Sequence, residues 1–242
     1  MALDQEKQRA AEAALEYIAS GMRVGLGTGS TAACFIDALG EKVRGGLDVV
    51  CVATSSATQE QAEAAGIRMS TLDDLQYLDV AVDGADEIDQ ELRLIKGGVG
   101  ALLREKIVAA ASDQMIVIAD HSKLVKGLGK FPLPIEVVRF GVHATRNMIL
   151  TLAAEAGCEG DITLRRTDEK KPFVTENGNL ILDCHFGAIG QPEYLAELFQ
   201  LVPGIVDHGL FLGLTEIALI ADADGGIQKL AVDEADDDEV AV

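Results

Sequence analysis

The sequence predicts an α/β protein: a mostly parallel, Rossmann-like sheet with helices on both faces, plus an inserted ferredoxin-like α+β subdomain. Three observations carry this reading. Short, fully apolar runs alternate with helical stretches through the first half of the chain, the pattern of strands covered on both faces of a parallel sheet. After Phe131-Pro132-Leu133-Pro134 the rhythm changes to strand, helix, strand, strand, helix, strand, a split βαβ order. A last apolar run, 217–220, is left over and is expected to return to the first sheet, which makes the middle block an insertion. The expected division is 1–130 with 207–232 for the main catalytic unit, 131–206 for the small one, and 233–242 for an acidic tail.

Each element has its own reason. Ala10, Ala13, Ala14, Tyr17 and Ile18 share one face of a helix over 5–19, and Gly21 stops it. Residues 24–26 form a strand entering Gly27-Thr28-Gly29-Ser30-Thr31, and a helix over 32–39 ends at Gly40. Strand 49–53, the turn Thr54-Ser55-Ser56 and helix 57–65 repeat the unit. Strand 80–82 runs into Asp83-Gly84-Ala85-Asp86; beyond Lys96-Gly97-Gly98 come helix 101–111 and strand 115–119. The second block reads as strand 135–140, helix 144–156, strand 162–166, and a hairpin whose arms 173–174 and 180–182 flank Asn177-Gly178. Helix 192–201 and strand 205–211 complete it.

With 242 residues, 48% of them hydrophobic, the chain can bury one large core or a main core and a smaller one. No apolar run approaches the roughly 20 residues that span a bilayer, and the N-terminus lacks the apolar centre of a secretory signal. A soluble, cytoplasmic protein is expected. The net charge of −20, from 40 acidic against 20 basic residues, excludes nucleic acid and anionic membrane as partners, because such surfaces need Lys and Arg to neutralise phosphates. The same excess repels itself in dilute buffer, whereas salt near 1 M shortens the Debye length to about 3 Å. A high-salt, halophilic cytoplasm is the expectation; a mesophilic protein with a solvated acidic tail is the alternative. Cys34, Cys51, Cys158 and Cys184 are widely spaced, with no C-x-x-C or histidine pair. They read as buried reduced thiols and not as a zinc site.

Ligands on parallel sheets bind outside the strand carboxyl ends, and every polar or glycine-rich cluster here follows a strand. Gly25-Leu26-Gly27-Thr28-Gly29-Ser30-Thr31 would aim backbone N–H groups and a helix N-terminus at an anion, unless it is a tight turn with no ligand. No Lys follows the glycines, so it is not a Walker A loop. No acid ends the next strand, which disfavours a dinucleotide and an NAD-dependent oxidoreductase. Asp83-Gly84-Ala85-Asp86-Glu87-Ile88-Asp89 could bind Mg²⁺, exchange protons with sugar hydroxyls, or be a solvated acidic turn; its spacing completes no EF-hand. Lys96 on a glycine loop, Glu105 early in the next helix and Lys123 after another strand would each be ordinary surface residues taken alone. Their common place at the carboxyl ends of one sheet favours a shared site.

In order, Gly27-Thr28-Gly29-Ser30-Thr31, Thr54-Ser55-Ser56, Asp83-Gly84-Ala85-Asp86-Glu87, Lys96-Gly97-Gly98, Arg104-Glu105-Lys106 and Gly129-Lys130-Phe131-Pro132-Leu133-Pro134 resemble the ribose-5-phosphate isomerase A family. The resemblance runs on through Asn177-Gly178-Asn179 and Pro203-Gly204 to Gly209-Leu210-Phe211. It implies a cofactor-free, metal-free aldose–ketose isomerisation between ribose 5-phosphate and ribulose 5-phosphate, by a homodimer or homotetramer. It implies Glu105 as the base, Lys96 as the cation facing the oxyanion, and Asp83 and Asp86 as proton-exchanging groups. Substrate would be held by Lys7, Thr28, Gly29, Ser30, Thr31, Gly84, Ala85, Gly97, Gly98, Val99 and Lys123, with positive charge concentrated locally within an acidic surface. Two positions depart from the family pattern: Val99, where a third glycine is common, and Leu103, where a threonine precedes the Arg-Glu-Lys run. Sheets of this kind also serve sugar-phosphate sensors and aminosugar-phosphate deaminases, which is the competing reading.

Overall fold

The computed structural model describes residues 2–232, so the expected acidic tail at 233–242 lies outside the described residues. In chain order the elements are α1 (Ala2–Ala14), β1 (Arg23–Leu26), α2 (Ser30–Arg44), β2 (Val50–Ala53), α3 (Ser56–Ala64), β3 (Arg68–Met69), α4 (Leu72–Leu75), β4 (Val80–Asp83), β5 (Glu87–Ile88), β6 (Leu94–Ile95), α5 (Leu102–Ala110), β7 (Met115–Asp120), β8 (Leu133–Val137), α6 (Val142–Glu155), β9 (Asp161–Leu164), β10 (Leu180–His185), α7 (Pro192–Phe199), β11 (Ile205–His208), β12 (Leu210–Phe211), β13 (Ile217–Ala221) and β14 (Ile227–Ala231).

Seven strands form the main sheet in the order β14-β13-β7-β4-β1-β2-β3. All its pairings are parallel except that of β13 with the edge strand β14. The apolar run at 217–220 therefore does return to the first sheet. Alternate side chains divide between two faces, as the strand period of two requires. Val80 and Val82 join Ala10, Phe35 and Leu39 beneath α1 and α2, while Ala81 packs against Val108 of α5. Helices were expected on both faces. They lie on both, but the second face is shared between α5 and a three-stranded sheet, β12-β6-β5, whose Ile88, Leu94 and Phe211 pack on Val117 and Ile220. Two-residue strands are too short to leave a periodic signal.

The other sheet has the order β11-β8-β10-β9, antiparallel throughout, with α6 joining β8 to β9 and α7 joining β10 to β11. This is a β-α-β-β-α-β connectivity. Its own core gathers Ile135, Val137, Ile149, Leu182, Leu195 and Phe199.

Several local expectations need correcting. The helix expected to stop at Gly40 continues to Arg44, because Gly40 is a contact and not a stop. A Cβ there would stand 2.7 Å from the Ala65 Cβ, so the missing side chain lets α2 approach the end of α3. The first helix ends at Ala14 and tightens into a 3₁₀ turn, Leu15–Tyr17. The expected strand at 135–140 ends at Val137, and the one at 205–211 divides at Gly209 between two sheets. The Asn177-Gly178 turn forms, with Gly178 at φ 84° and its N–H donating to Thr175 O at 2.9 Å. Residues 173–174 are not a strand arm, however, since Phe173 turns away to pack on Gly100. Cys51, Cys158 and Cys184 are buried free thiols, but Cys34 is only half-buried on α2.

Candidate active site

Strand order reverses at β1: β2 lies on one side and β4 on the other. A crevice opens at such a switch point, outside the strand carboxyl ends. Two loops meet in it, and a glycine decides how closely. A Cβ on Gly27 would fall 2.0 Å from Asp83 Oδ1, so only glycine lets the Asp83 carboxylate lie against the β1 turn. There Oδ1 accepts from the N–H of Thr28 at 3.1 Å and of Gly84 at 2.7 Å. Gly29, at φ 116°, turns the chain so that α2 begins at Ser30. Hydroxyls fix the turn from below: Thr28 Oγ1 lies 2.7 Å from Thr54 Oγ1 and donates to Ser55 Oγ at 2.9 Å, and Thr58 Oγ1 donates to Gly27 O at 2.8 Å.

Lys96 follows β6 and enters from the three-stranded sheet, its N–H donating to Gly209 O at 2.9 Å. The ammonium lies 2.8 Å from Asp83 Oδ2 and 3.3 Å from Glu105 Oε2, and it donates to Gly84 O at 2.6 Å. The Phe211 ring centroid is 5.4 Å away. All three charged groups are 3% exposed or less. Burial raises the pKa of Glu105; Lys96 pulls it down, Asp83 pushes it up further, and it ends at about 8. Asp83 is also raised, by burial against the pull of Lys96. Burial opposes the Lys96 charge, but Asp83 and then Glu105 outweigh it and hold the lysine above its ordinary value. Glu105 Oε2 is buried and has no hydrogen-bond partner among the described residues, although the ammonium is near. A buried carboxylate oxygen held by an ion pair alone is costly, and Glu105 lines the cleft.

Asp86 holds the adjoining loop by accepting from Gly98 N–H at 2.7 Å. Gly97 at φ 96° and Gly100 at φ 92° make the turn. Val99 between them is not in the left-handed region and is 55% exposed, which is why the position tolerates a side chain.

These groups line a cleft of about 120 Å³. Of the residues expected from the sequence, Lys7, Thr28 to Thr31, Gly84 to Asp86, Lys96 to Val99, Glu105 and Lys123 all face it. Asp83 does not; it sits beneath, buried between Gly27 and Lys96. Lys96 is offset by its two carboxylates, so the exposed positive charge in the cleft comes from half-buried Lys7 and Lys123. They come from distant elements that a pair unseen in the sequence ties together. Glu6, 1% exposed, accepts from His121 N–H at 3.3 Å and lies 2.6 Å from His121 Nδ1. That contact raises the pKa of His121. Thr58, Glu6 and the role of His121 escaped sequence reasoning, and Gly27 was read only as part of an anion-binding loop, because a close approach or a buried glutamate leaves no periodic signature.

Residues 50–225 match the family model described as ribose 5-phosphate isomerase A (phosphoriboisomerase A). The chain is 56% identical over 225 residues to the ribose-5-phosphate isomerase A of Nitrobacter hamburgensis, covering 93% of this chain and 97% of that one. It is 53% identical to that of Parvibaculum lavamentivorans, covering 91% and 95%. Among solved structures it resembles the ribose 5-phosphate isomerase of Plasmodium falciparum with a TM-score of 0.90 at 36% identity, over 96% of this chain and 100% of that one. A D-ribose-5-phosphate isomerase in complex with phospho-erythronic acid gives 0.88 at 37%, with 96% and 100% covered. On the strength of the matched residues and these relatives, the chain belongs to the ribose-5-phosphate isomerase A family.

Proposed function

We propose that the cleft interconverts D-ribose 5-phosphate and D-ribulose 5-phosphate through an enediolate, with Glu105 carrying the proton between C2 and C1. The observation that supports this most is the Glu105 carboxyl, buried in the cleft wall with its Oε2 ion-paired to the Lys96 ammonium at 3.3 Å and with no other partner among the described residues. Lys7, Lys123, Ser30 and Thr31 hold the phosphate, placing the sugar's reactive end toward Glu105. The ring opens as the anomeric O–H loses its proton and the ring oxygen gains one, an exchange suited to Asp86 at the surface and the raised Asp83 beneath. The ionised Glu105 then takes the C2 proton. The C–H electron pair forms the C1–C2 double bond, and the carbonyl pair moves to O1, where Lys96 meets the developing charge. The O2–H proton then passes to O1, Glu105 returns its proton to C1 as the C1–C2 double-bond pair forms the new C–H bond, and the O2 pair closes the C2=O2 carbonyl of the ketose. A sugar-acid phosphate such as the one held by the solved relative carries a carboxylate in place of that planar, anionic end.

We propose further that the protein works in a high-salt cytoplasm, on the strength of its net charge of −20. The family resemblance supports a homodimer or homotetramer. The first test is conversion of ribose 5-phosphate by purified protein in EDTA. Conversion is expected; folded protein with no turnover, with and without EDTA, overturns the isomerase reading and turns attention to a sugar-phosphate sensor or deaminase.

A further inference from the structure

We infer that Arg165, a residue of the second sheet, is a positioning residue for the glycine loop that carries Lys96; as a statement about turnover this rests on the isomerase reading. Arg165 directly follows β9, and its backbone is fixed on both sides: its N–H donates to Ile181 O and its carbonyl accepts from Phe173 N–H, each at 2.9 Å. Thr163 pairs with Asp183 across β9 and β10. Arg165, two residues on, projects from the same face as Thr163 and reaches Asp183 diagonally. There its Nε donates to Asp183 Oδ2 at 2.9 Å, and a second guanidinium nitrogen pairs with Oδ1. This two-point clamp leaves the remaining nitrogen aimed out of the sheet.

That nitrogen donates to the carbonyls of Gly97 at 2.9 Å and Gly98 at 3.0 Å. Both belong to the loop that follows Lys96. The peptide linking Gly97 to Gly98 therefore bonds at both ends: its C=O accepts from Arg165, and its N–H donates to Asp86 Oδ2. A cation on the carbonyl polarises the amide and strengthens its N–H as a donor. The guanidinium thus does two things a neutral spacer could not. It fixes the peptide plane, and it strengthens the bond that orients Asp86 in the cleft. The loop needs such a hold because glycines supply two of its four positions with left-handed φ and none of them with a constraining side chain. Phe173 adds a steric stop, since a Cβ on Gly100 would lie 2.5 Å from its ring. Arg165 and Asp183 are both about one-sixth exposed, so the pair is partly shielded from water.

The test compares wild type, Arg165→Lys and Arg165→Ala on ribose 5-phosphate, with melting temperature and amide exchange of residues 97–100 measured without substrate. A misplaced catalytic loop should cost about 10²-fold in kcat, with KM little changed because the phosphate-holding residues are untouched. Lysine, which cannot hold Asp183 and two carbonyls at once, should recover only part of this. Guanidinium chloride, well below its denaturing range, should raise kcat of the alanine variant where sodium chloride at the same ionic strength does not. Amide exchange at Gly98 should quicken in both variants. A kcat within about twofold of wild type in folded Arg165→Lys, or unchanged Gly98 exchange, overturns the proposal. Exchange needs no turnover, so it gives an answer even if the isomerase reading fails.

Discussion

Glu105 is where the chemistry and the stability of this chain oppose each other. Its carboxyl is pushed up to about 8 by burial, against an ordinary value of 4.5. The folded state therefore holds this proton more tightly than the unfolded chain does. Between about pH 4.5 and 8 the group lowers stability progressively as pH rises. Glu105→Gln keeps the shape and cannot ionise. Its kcat should fall by about 10²- to 10⁴-fold, while its melting temperature gains on wild type as pH climbs through that window. Parallel melting curves across the window would refute the stability half. On the proposed role of Glu105 as base, wild-type kcat/KM should rise with pH and level off above about 8, since only an ionised carboxylate accepts a proton; a flat profile from pH 6 to 9 would contradict this. The residues that line the cleft were legible in the sequence, because loops at strand ends keep chemically marked side chains in order. The supports were not. Gly27 matters for a hydrogen where a Cβ would strike Asp83, and Glu6 for a contact with His121 across more than a hundred residues.

At the scale of elements, Gly40 shows how a correct rule can be overruled by packing. Glycine inside a helix costs about 1 kcal/mol relative to alanine, so a helix end is the natural expectation there. The structure instead runs α2 on to Arg44 and uses the bare backbone to seat Ala65. Gly40→Ala should then destabilise, because overpacking typically costs about 1–3 kcal/mol and exceeds the propensity gain; a raised melting temperature would show that the α2–α3 contact yields easily. Long apolar strands such as β7 and β13 were readable because both faces are buried. β14, with most of its residues exposed, and β5, β6 and β12, of two residues each, carry no pattern of their own and exist because neighbouring strands complete their hydrogen bonds.

For the whole molecule the governing quantity is charge. With 40 acidic residues against 20 basic ones, repulsion spreads over the surface and is screened as the Debye length falls from about 10 Å at 0.1 M salt to about 3 Å at 1 M. Melting temperature should rise markedly from low to molar KCl; a flat curve would remove the high-salt reading. The ion pairs inside the cleft are water-excluded and should be far less sensitive. One joint described above bears on how such a protein can be recombined. Gly209 lies where β11 passes into β12: its carbonyl holds the Lys96 amide, its own amide donates to Pro134 O at 2.7 Å, and a Cβ would lie 2.3 Å from Lys96 O. The lysine thus hangs from a seam between two sheets. A chimera that exchanges residues 133–208 for those of a relative should keep its lysine in register where position 209 stays glycine, because the bonds across the seam are main-chain ones and only a side chain at 209 would push Lys96 and Pro134 apart.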